Sequence, residues 1–130
     1  MKGHIRLSQT EILTIHAQVL AATGSRFQGI RNHPGLESAL VRPSFLASYG
    51  QADVFVLVAG LVEGIIRNHP FVDGNKRTAW AAAAYLLAGL GFQVQAPVSE
   101  AAALMVGLAE GTVSDLELAQ ALRSWCHRRP

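Results

Sequence analysis

Hydrophobic positions recur at helical spacing along most of the chain, and the interruptions fall at proline, glycine and capping residues. Ile12, Ile15, His16 and Val19 mark one face of a first helix. Ser8-Gln9-Thr10-Glu11 ahead of it forms a capping box, in which Ser8 accepts from the Glu11 amide and Glu11 reaches back. The helix is expected to run to about Ala22, where Thr23-Gly24-Ser25 stops it. From Arg26 to Gly50 the pattern weakens. Gly29, Pro34, Gly35, Pro43 and Gly50 break any long element and leave room for a short helix over Leu36–Val41. An irregular segment of this length is more often functional than decorative, so it is a candidate lid or substrate-docking flap.

The second half is more regular. Asp53 is a good N-cap for a helix from Val54 to about Asn68. Pro70 then forbids an ordinary continuation, because it lacks an amide hydrogen and disfavours helical geometry at His69. A further helix begins near Asn75 and runs through an alanine-rich stretch to Gly89. It is apolar almost all round, which places it at the centre of the fold. Phe92-Gln93-Val94-Gln95-Ala96 reads as a short extended piece. Ser99-Glu100 opens a helix that Gly111 closes, and Asp115 or Ser114 caps a last one through Leu116, Leu118, Ala119, Leu122 and Trp125. There is no internal repeat, linker or low-complexity stretch. The echo between Asn32-His33-Pro34 and Asn68-His69-Pro70 reads as coincidence. The expected fold class is all-α: one compact helical domain over residues 1–130, with a central apolar helix and a short irregular flap.

Composition narrows the picture. Of 130 residues, 50% are hydrophobic and 15% charged, which excludes a disordered chain and suffices for one core. So small a body leaves apolar surface over, and a homo-oligomer or a bound protein is expected to cover it. The net charge of +2 is spread rather than striped, against direct nucleic-acid binding. Part of the excess, at Arg123, Arg128 and Arg129, suits a helix C-terminus and tail. Cys126 is the single cysteine, so no internal disulfide forms. No apolar run follows Met1-Lys2-Gly3-His4-Ile5-Arg6, so no signal peptide is visible. Val54–Ile66, interrupted by Glu63, and Ala79–Leu90 both fall short of the ~18–20 residues that cross a bilayer. They read as buried helices of a soluble, cytoplasmic protein without a membrane partner.

The segment His69-Pro-Phe-Val-Asp-Gly-Asn-Lys-Arg77 is dense in reactive and anion-binding groups. It lies just before the N-terminus of the alanine-rich helix, whose first amides are unpaired donors and whose dipole favours an anion. Gly74 allows close approach of a ligand or a positive φ. Lys76 and Arg77 add charge at the same spot, completing a nest for phosphates. A lone carboxylate beside phosphates, Asp73, suits Mg²⁺. An imidazole, with an ordinary pKa of ~6.5, can take a proton at neutral pH, which fits His69 as a base. Base, metal-holding acid and phosphate cradle together suit transfer from a triphosphate to a hydroxyl.

Plainer roles fit the same letters. His69 can be a loop histidine, Asp73 a helix cap, and Lys76 and Arg77 solvated first-turn residues. Two adjacent cations at a helix N-terminus are nevertheless unfavourable without an anion nearby. Zinc is disfavoured, since no second His or Cys pair has metal-site spacing.

The nine residues His69–Arg77 resemble the Fic active-site motif, in the form seen in death-on-curing (Doc) toxins. Gly29-Ile30-Arg31 with Leu36–Pro43, and Glu63–Asn68 leading into the loop, are similar to the corresponding Doc-like segments. The resemblance implies a Fic-fold helical bundle in which His69 is the general base, Asp73 holds Mg²⁺, and Arg77 acts in catalysis. It further implies that Asn75, Lys76 and Arg77 grip the phosphates of ATP or another nucleoside triphosphate. Amides around Gly74 help, and Phe71 and Thr78 belong to the nucleotide-binding stretch. Arg31, Glu37 and Arg42 are the flap residues considered for substrate contact, with Glu37 and Arg42 expected to brace the flap as a surface pair.

One departure sets the subtype. AMP-transferring Fic proteins usually read Gly-Asn-Gly-Arg with a second arginine three residues on; here Lys76 and Trp80 stand at those places. The Doc-like form resembles enzymes that bind the nucleotide in the reverse sense and transfer its γ-phosphate, with elongation factor Tu as the target of Doc. AMP transfer is the alternative, and a non-catalytic nucleotide- or partner-binding module a further one. The flap's Asn32-His33-Pro34 also replaces a stretch that often begins with Asp. No Ser/Thr-x-x-x-Glu inhibitory helix is present, which implies a separate antitoxin acting in trans.

Overall fold

The computed structural model describes residues 5–130. The reading of Met1 to His4 lies outside the described residues. Ser8 makes the anticipated capping box, and α1 (Gln9–Thr23) ends at Gly24, which takes the left-handed conformation at φ 73°. Its buried side chains are Ile12, Ile15 and His16 of the anticipated stripe together with Leu20, while Val19, expected on that stripe, is half-buried.

The region between Arg26 and Gly50 is more ordered than its breakers suggest. It holds a 16-residue helix, α2 (His33–Ser48), so the irregular flap shrinks to the residues between Gly24 and Asn32. Pro34 and Gly35 sit in the first turn, where a missing amide costs nothing, and Asn32 caps that turn by accepting from the Gly35 amide. Gly50 lies past the C-cap. Only Pro43 is internal, and it is buried, so packing offsets the lost helical bond.

The centre of the fold is α3 (Val54–Asn68), capped by Asp53 and burying ten side chains or glycines. It packs against α2, α4 (Asn75–Gly89), α5 (Val98–Glu110) and α6 (Asp115–Trp125). The alanine-rich α4, expected at the centre, is instead one-sided. Thr78, Ala79, Ala82, Ala83, Leu86 and Leu87 face inward, while Lys76, Arg77 and Tyr85 are exposed. Alanine is apolar but small, and its abundance does not tell a buried face from a half-covered one. Gly64 shows how closely α3 meets α2: a Cβ there would stand 3.1 Å from Ala39 Cα. Arg42 of α2 spans outward from this seam to Glu63 (3.0 Å) and Asp115 (3.6 Å), tying α2, α3 and α6 together.

Ser114 rather than Asp115 caps α6, again through a capping box, here with Glu117. The extended piece is β1 (Phe92–Val94). It pairs antiparallel with β2 (Cys126–Arg128), which the helical reading of the tail did not anticipate. Arg128 therefore lies over the Phe92 ring (4.9 Å) rather than at a helix end. Arg123, in the last turn of α6, pairs with Asp53 and covers Phe55. The fold is all-α apart from this small ribbon. Among the described residues no helix is long and apolar enough to cross a membrane.

Candidate functional site

The loop from His69 to Gly74 joins the C-terminus of α3 to the N-terminus of α4. Pro70 disfavours right-handed helical geometry at His69, and the chain turns there in the left-handed region, at φ 50°, ψ 56°. His69 is the one non-glycine residue at positive φ among the described residues, and its side chain is exposed. For such a residue this conformation costs about 1–3 kcal/mol, and it survives only where its surroundings hold it.

The flap is what holds it. Arg31 donates from Nε and Nη2 to the His69 carbonyl (3.1 and 2.9 Å). The amides of Arg31 and Asn32 donate to the Pro70 carbonyl, and the Val72 amide donates to Gly29. Ile30 and Phe71 pair as an antiparallel bridge. The two Asn-His-Pro segments are not a coincidence in space. Asn32 donates to the Asn68 carbonyl (3.3 Å) and Asn68 donates to the Gly35 carbonyl (2.9 Å). Arg31, considered for substrate contact, is thus committed to the backbone of the loop. Arg42 does brace, but against Glu63 and Asp115, while Glu37 is exposed and makes no ion pair among the described residues.

Inside the loop, three residues expected at the nucleotide turn inward. The Phe71 ring is fully buried and stacks on His16 at 3.9 Å with a 10° tilt. Asn75 is buried, and its amide is used up on Phe71, accepting from the Phe71 amide (2.9 Å) and donating to its carbonyl (3.0 Å). Thr78 is fully buried, and its hydroxyl finds no partner. The Phe71 and Thr78 side chains are buried beneath the loop, and the polar atoms of Asn75 are engaged by the Phe71 backbone. They shape the loop from below.

Two residues outside the motif finish the scaffold. His16 Nε2 donates to the Asp73 carbonyl (2.9 Å), which fixes its tautomer, since a carbonyl can only accept. Ser25 Oγ donates to Asp73 Oδ2 (2.7 Å). The signal for His16 was a polar residue on an apolar helical stripe. Ser25 gave no signal beyond ending a helix, because its partner lies 48 residues away. The Ser25 hydrogen bond, then the Gly74 amide on Oδ1, hold the Asp73 carboxyl below its ordinary pKa, with a smaller contribution from Arg77. Ser25→Ala is expected to shift the Asp73 carboxyl titration, followed by carbon-detected NMR, upward toward the ordinary aspartate value. An unchanged midpoint would show that the hydroxyl does not set it.

Gly74, at φ 81°, is the N-cap of α4 and offers no side chain to its free amides. The first helical amide to find a carbonyl here is that of Thr78, on Gly74 (2.9 Å). Exposed Lys76 and Arg77 flank this open end, and among the described residues neither pairs with a carboxylate. Asp73 through Arg77 line one end of a cleft of about 670 Å³ that continues over Trp80 and between α4 and α5. The Asp73 carboxylate, exposed and held ionised, fits a hard divalent cation that shares phosphate oxygens. Among the described residues no three His, Cys, Asp or Glu side chains gather as a metal cluster of their own.

Comparison with known proteins agrees with this geometry. The sequence profile of the Fic/DOC family matches residues 6–87, which include α1, the flap, the loop and most of α4. The chain belongs to the Fic/DOC family. It is also similar to the toxin Doc of Mycolicibacterium smegmatis (strain ATCC 700084 / mc(2)155), 42% identical over 72 residues, or 50% of this chain and 54% of that protein. The chain thus spans about half the length of that curated relative. The loop that interrupts the helices at His69 lies within the matched residues.

Proposed function

We propose that the protein is a toxin-type transferase that moves the γ-phosphate of a nucleoside triphosphate onto a hydroxyl of a target protein. The N-terminus of α4, with no side-chain cap and with two cations in its first turn that pair with no carboxylate among the described residues, carries this reading. Such an end is electrostatically unfavourable alone and becomes favourable when phosphate oxygens settle on it.

His69, exposed in the loop, takes the proton of the target hydroxyl as that oxygen bonds to the γ-phosphorus. The bond from that phosphorus to its bridging oxygen breaks, and the nucleoside diphosphate leaves. Arg77 and Lys76 balance charge on the phosphates, and the amides opening α4 orient them. Mg²⁺ held by Asp73 would supply further charge neutralisation when bound. Lys76 fills space that a glycine would leave to the phosphates, which favours phosphoryl over AMP transfer. The resemblance of His69–Arg77 to the Doc form supports a translation elongation factor as target and a cytoplasmic setting, and the toxin relative supports a separate antitoxin as inhibitor. Val41 and Phe45 on α2 and Tyr49 at its C-cap, exposed at one-turn spacing, give the antitoxin or a second copy an apolar face.

Labelled nucleotide tests the reaction directly. With cell extract as acceptor, the γ-phosphorus label is expected on one protein, and His69→Ala abolishes it. Retention of the α-phosphorus label would establish AMP transfer instead. No label from either position, with folded protein, would leave a binding module.

A further inference from the structure

Taking the phosphate-binding reading of the loop as given, we infer that the apolar cleft between α4 and α5 seats the nucleobase of the triphosphate against Trp80. We infer further that this seat tolerates any base. Three observations carry the inference. The cleft is continuous with the phosphate-binding end: one cavity of about 670 Å³ takes both Lys76 and Arg77 and the apolar walls beyond. That volume falls within the range of sites that enclose a nucleotide-sized ligand.

Direction follows from helix geometry. Lys76, Trp80 and Ala84 stand four residues apart on one face of α4, so Trp80 lies about 6 Å along the axis from the first turn. A ligand whose phosphates rest on the opening amides and whose remainder follows the cleft passes over the indole. Trp80 is half-buried and is braced edge-on by Trp125, with ring centroids 6.2 Å apart, which keeps it in place as a platform. Ala84 on α4 and Ala101 and Ala102 on α5 keep the space open, and Val94 and Met105 complete the walls.

Tolerance follows from what the walls lack. Beyond Arg77 every lining side chain is apolar except for the indole N–H of Trp80. Among the described residues that line this part of the cleft, no carboxylate, amide or hydroxyl side chain is placed to read the edge of a base, whereas every base offers a face to stack. A hydrophobic segment of a partner protein is the rival occupant. The cationic, amide-lined end of the same cavity favours an anionic ligand with one apolar, planar end.

The test compares binding of ATP and of inorganic tripolyphosphate to the whole chain by calorimetry, in wild type and three variants. Trp80→Ala is expected to weaken ATP about five- to hundred-fold, the range for loss of one stacked base, and to leave tripolyphosphate nearly unchanged. Ala102→Phe, from an exposed position on the opposite wall, blocks the cleft without disturbing α4 and has the same selective effect. Trp80→Phe keeps most of the ATP affinity. The four common ribonucleoside triphosphates bind within about tenfold of one another, since stacking alone separates them. Equal losses for ATP and tripolyphosphate, no loss for either in Trp80→Ala and Ala102→Phe, or a hundred-fold preference for one base would each overturn the inference while leaving phosphate binding intact. If neither anion binds the wild type, the phosphate reading itself falls, and the inference with it.

Discussion

Replacing His69 by glycine is expected to abolish transfer while leaving the protein at least as stable as the alanine variant. The two effects have separate origins. Loss of a general base lowers the rate by about 10²–10⁴-fold, because the target hydroxyl keeps its proton as the new bond forms. Stability responds to the backbone. His69 sits at φ 50°, where a Cβ costs about 1–2 kcal/mol, and alanine retains that cost. Glycine removes it, at the expense of about 0.4–1 kcal/mol of extra freedom in the unfolded chain. The imidazole is exposed, so little packing is lost with it. His69→Gly is therefore expected to melt at or above His69→Ala, with both equally inactive. Thermal denaturation and single-turnover transfer of labelled phosphate measure the two quantities independently. A glycine variant that melts well below the alanine one would mean the turn is not strained. Activity within tenfold of wild type would remove His69 from the chemistry.

The ease of reading this chain from its letters differed by the kind of interaction involved. Local signals were legible. The Ser8–Glu11 box, the Asp53 cap and the start of α4 after Gly74 depend on neighbours within a few residues, and each appears where spacing placed it, while the Ser114–Glu117 box settles a cap that the letters left between Ser114 and Asp115. The motif was legible for the same reason, being one contiguous loop within the family match. What failed was the distinction between a residue that breaks a helix and one that begins it. Pro34 and Gly35 looked like interruptions but occupy the first turn of α2, where capping by Asn32 turns them into a start. Burial was also hidden. Phe71 and Asn75 belong to the motif and Thr78 follows it, and the sequence does not show that all three are buried. Contacts distant in the chain were harder still. Arg31 on the His69 carbonyl, Ser25 on Asp73 and the β1–β2 ribbon each join residues more than 30 positions apart.

Asn75 separates a scaffold from a phosphate ligand most sharply. If it gripped phosphate, Asn75→Ala would lose nucleotide affinity but keep its stability in the absence of nucleotide. The structure sets the opposite expectation. Both halves of the Asn75 amide bond the backbone of fully buried Phe71, so truncation leaves an N–H and a C=O without partners. Each orphaned group costs about 1–3 kcal/mol, giving a loss of roughly 2–6 kcal/mol and a fall of about 10–20 °C in Tm without any ligand present. Activity falls as well, because the Phe71–His16 stack and the Asp73 carbonyl on His16 are anchored by the same loop. Asn75→Asp sharpens the test. It keeps an acceptor for the Phe71 amide but turns a carboxylate oxygen toward the Phe71 carbonyl, where only a protonated carboxyl can donate. Burial and that carbonyl both raise the folded pKa of the new group above its unfolded value near ~3.9. Its native bonding is then complete below the unfolded value and is lost as pH rises through the folded one. The aspartate variant should be markedly less stable than wild type at pH 7 and close the gap as the solution is acidified, a convergence that alanine cannot show.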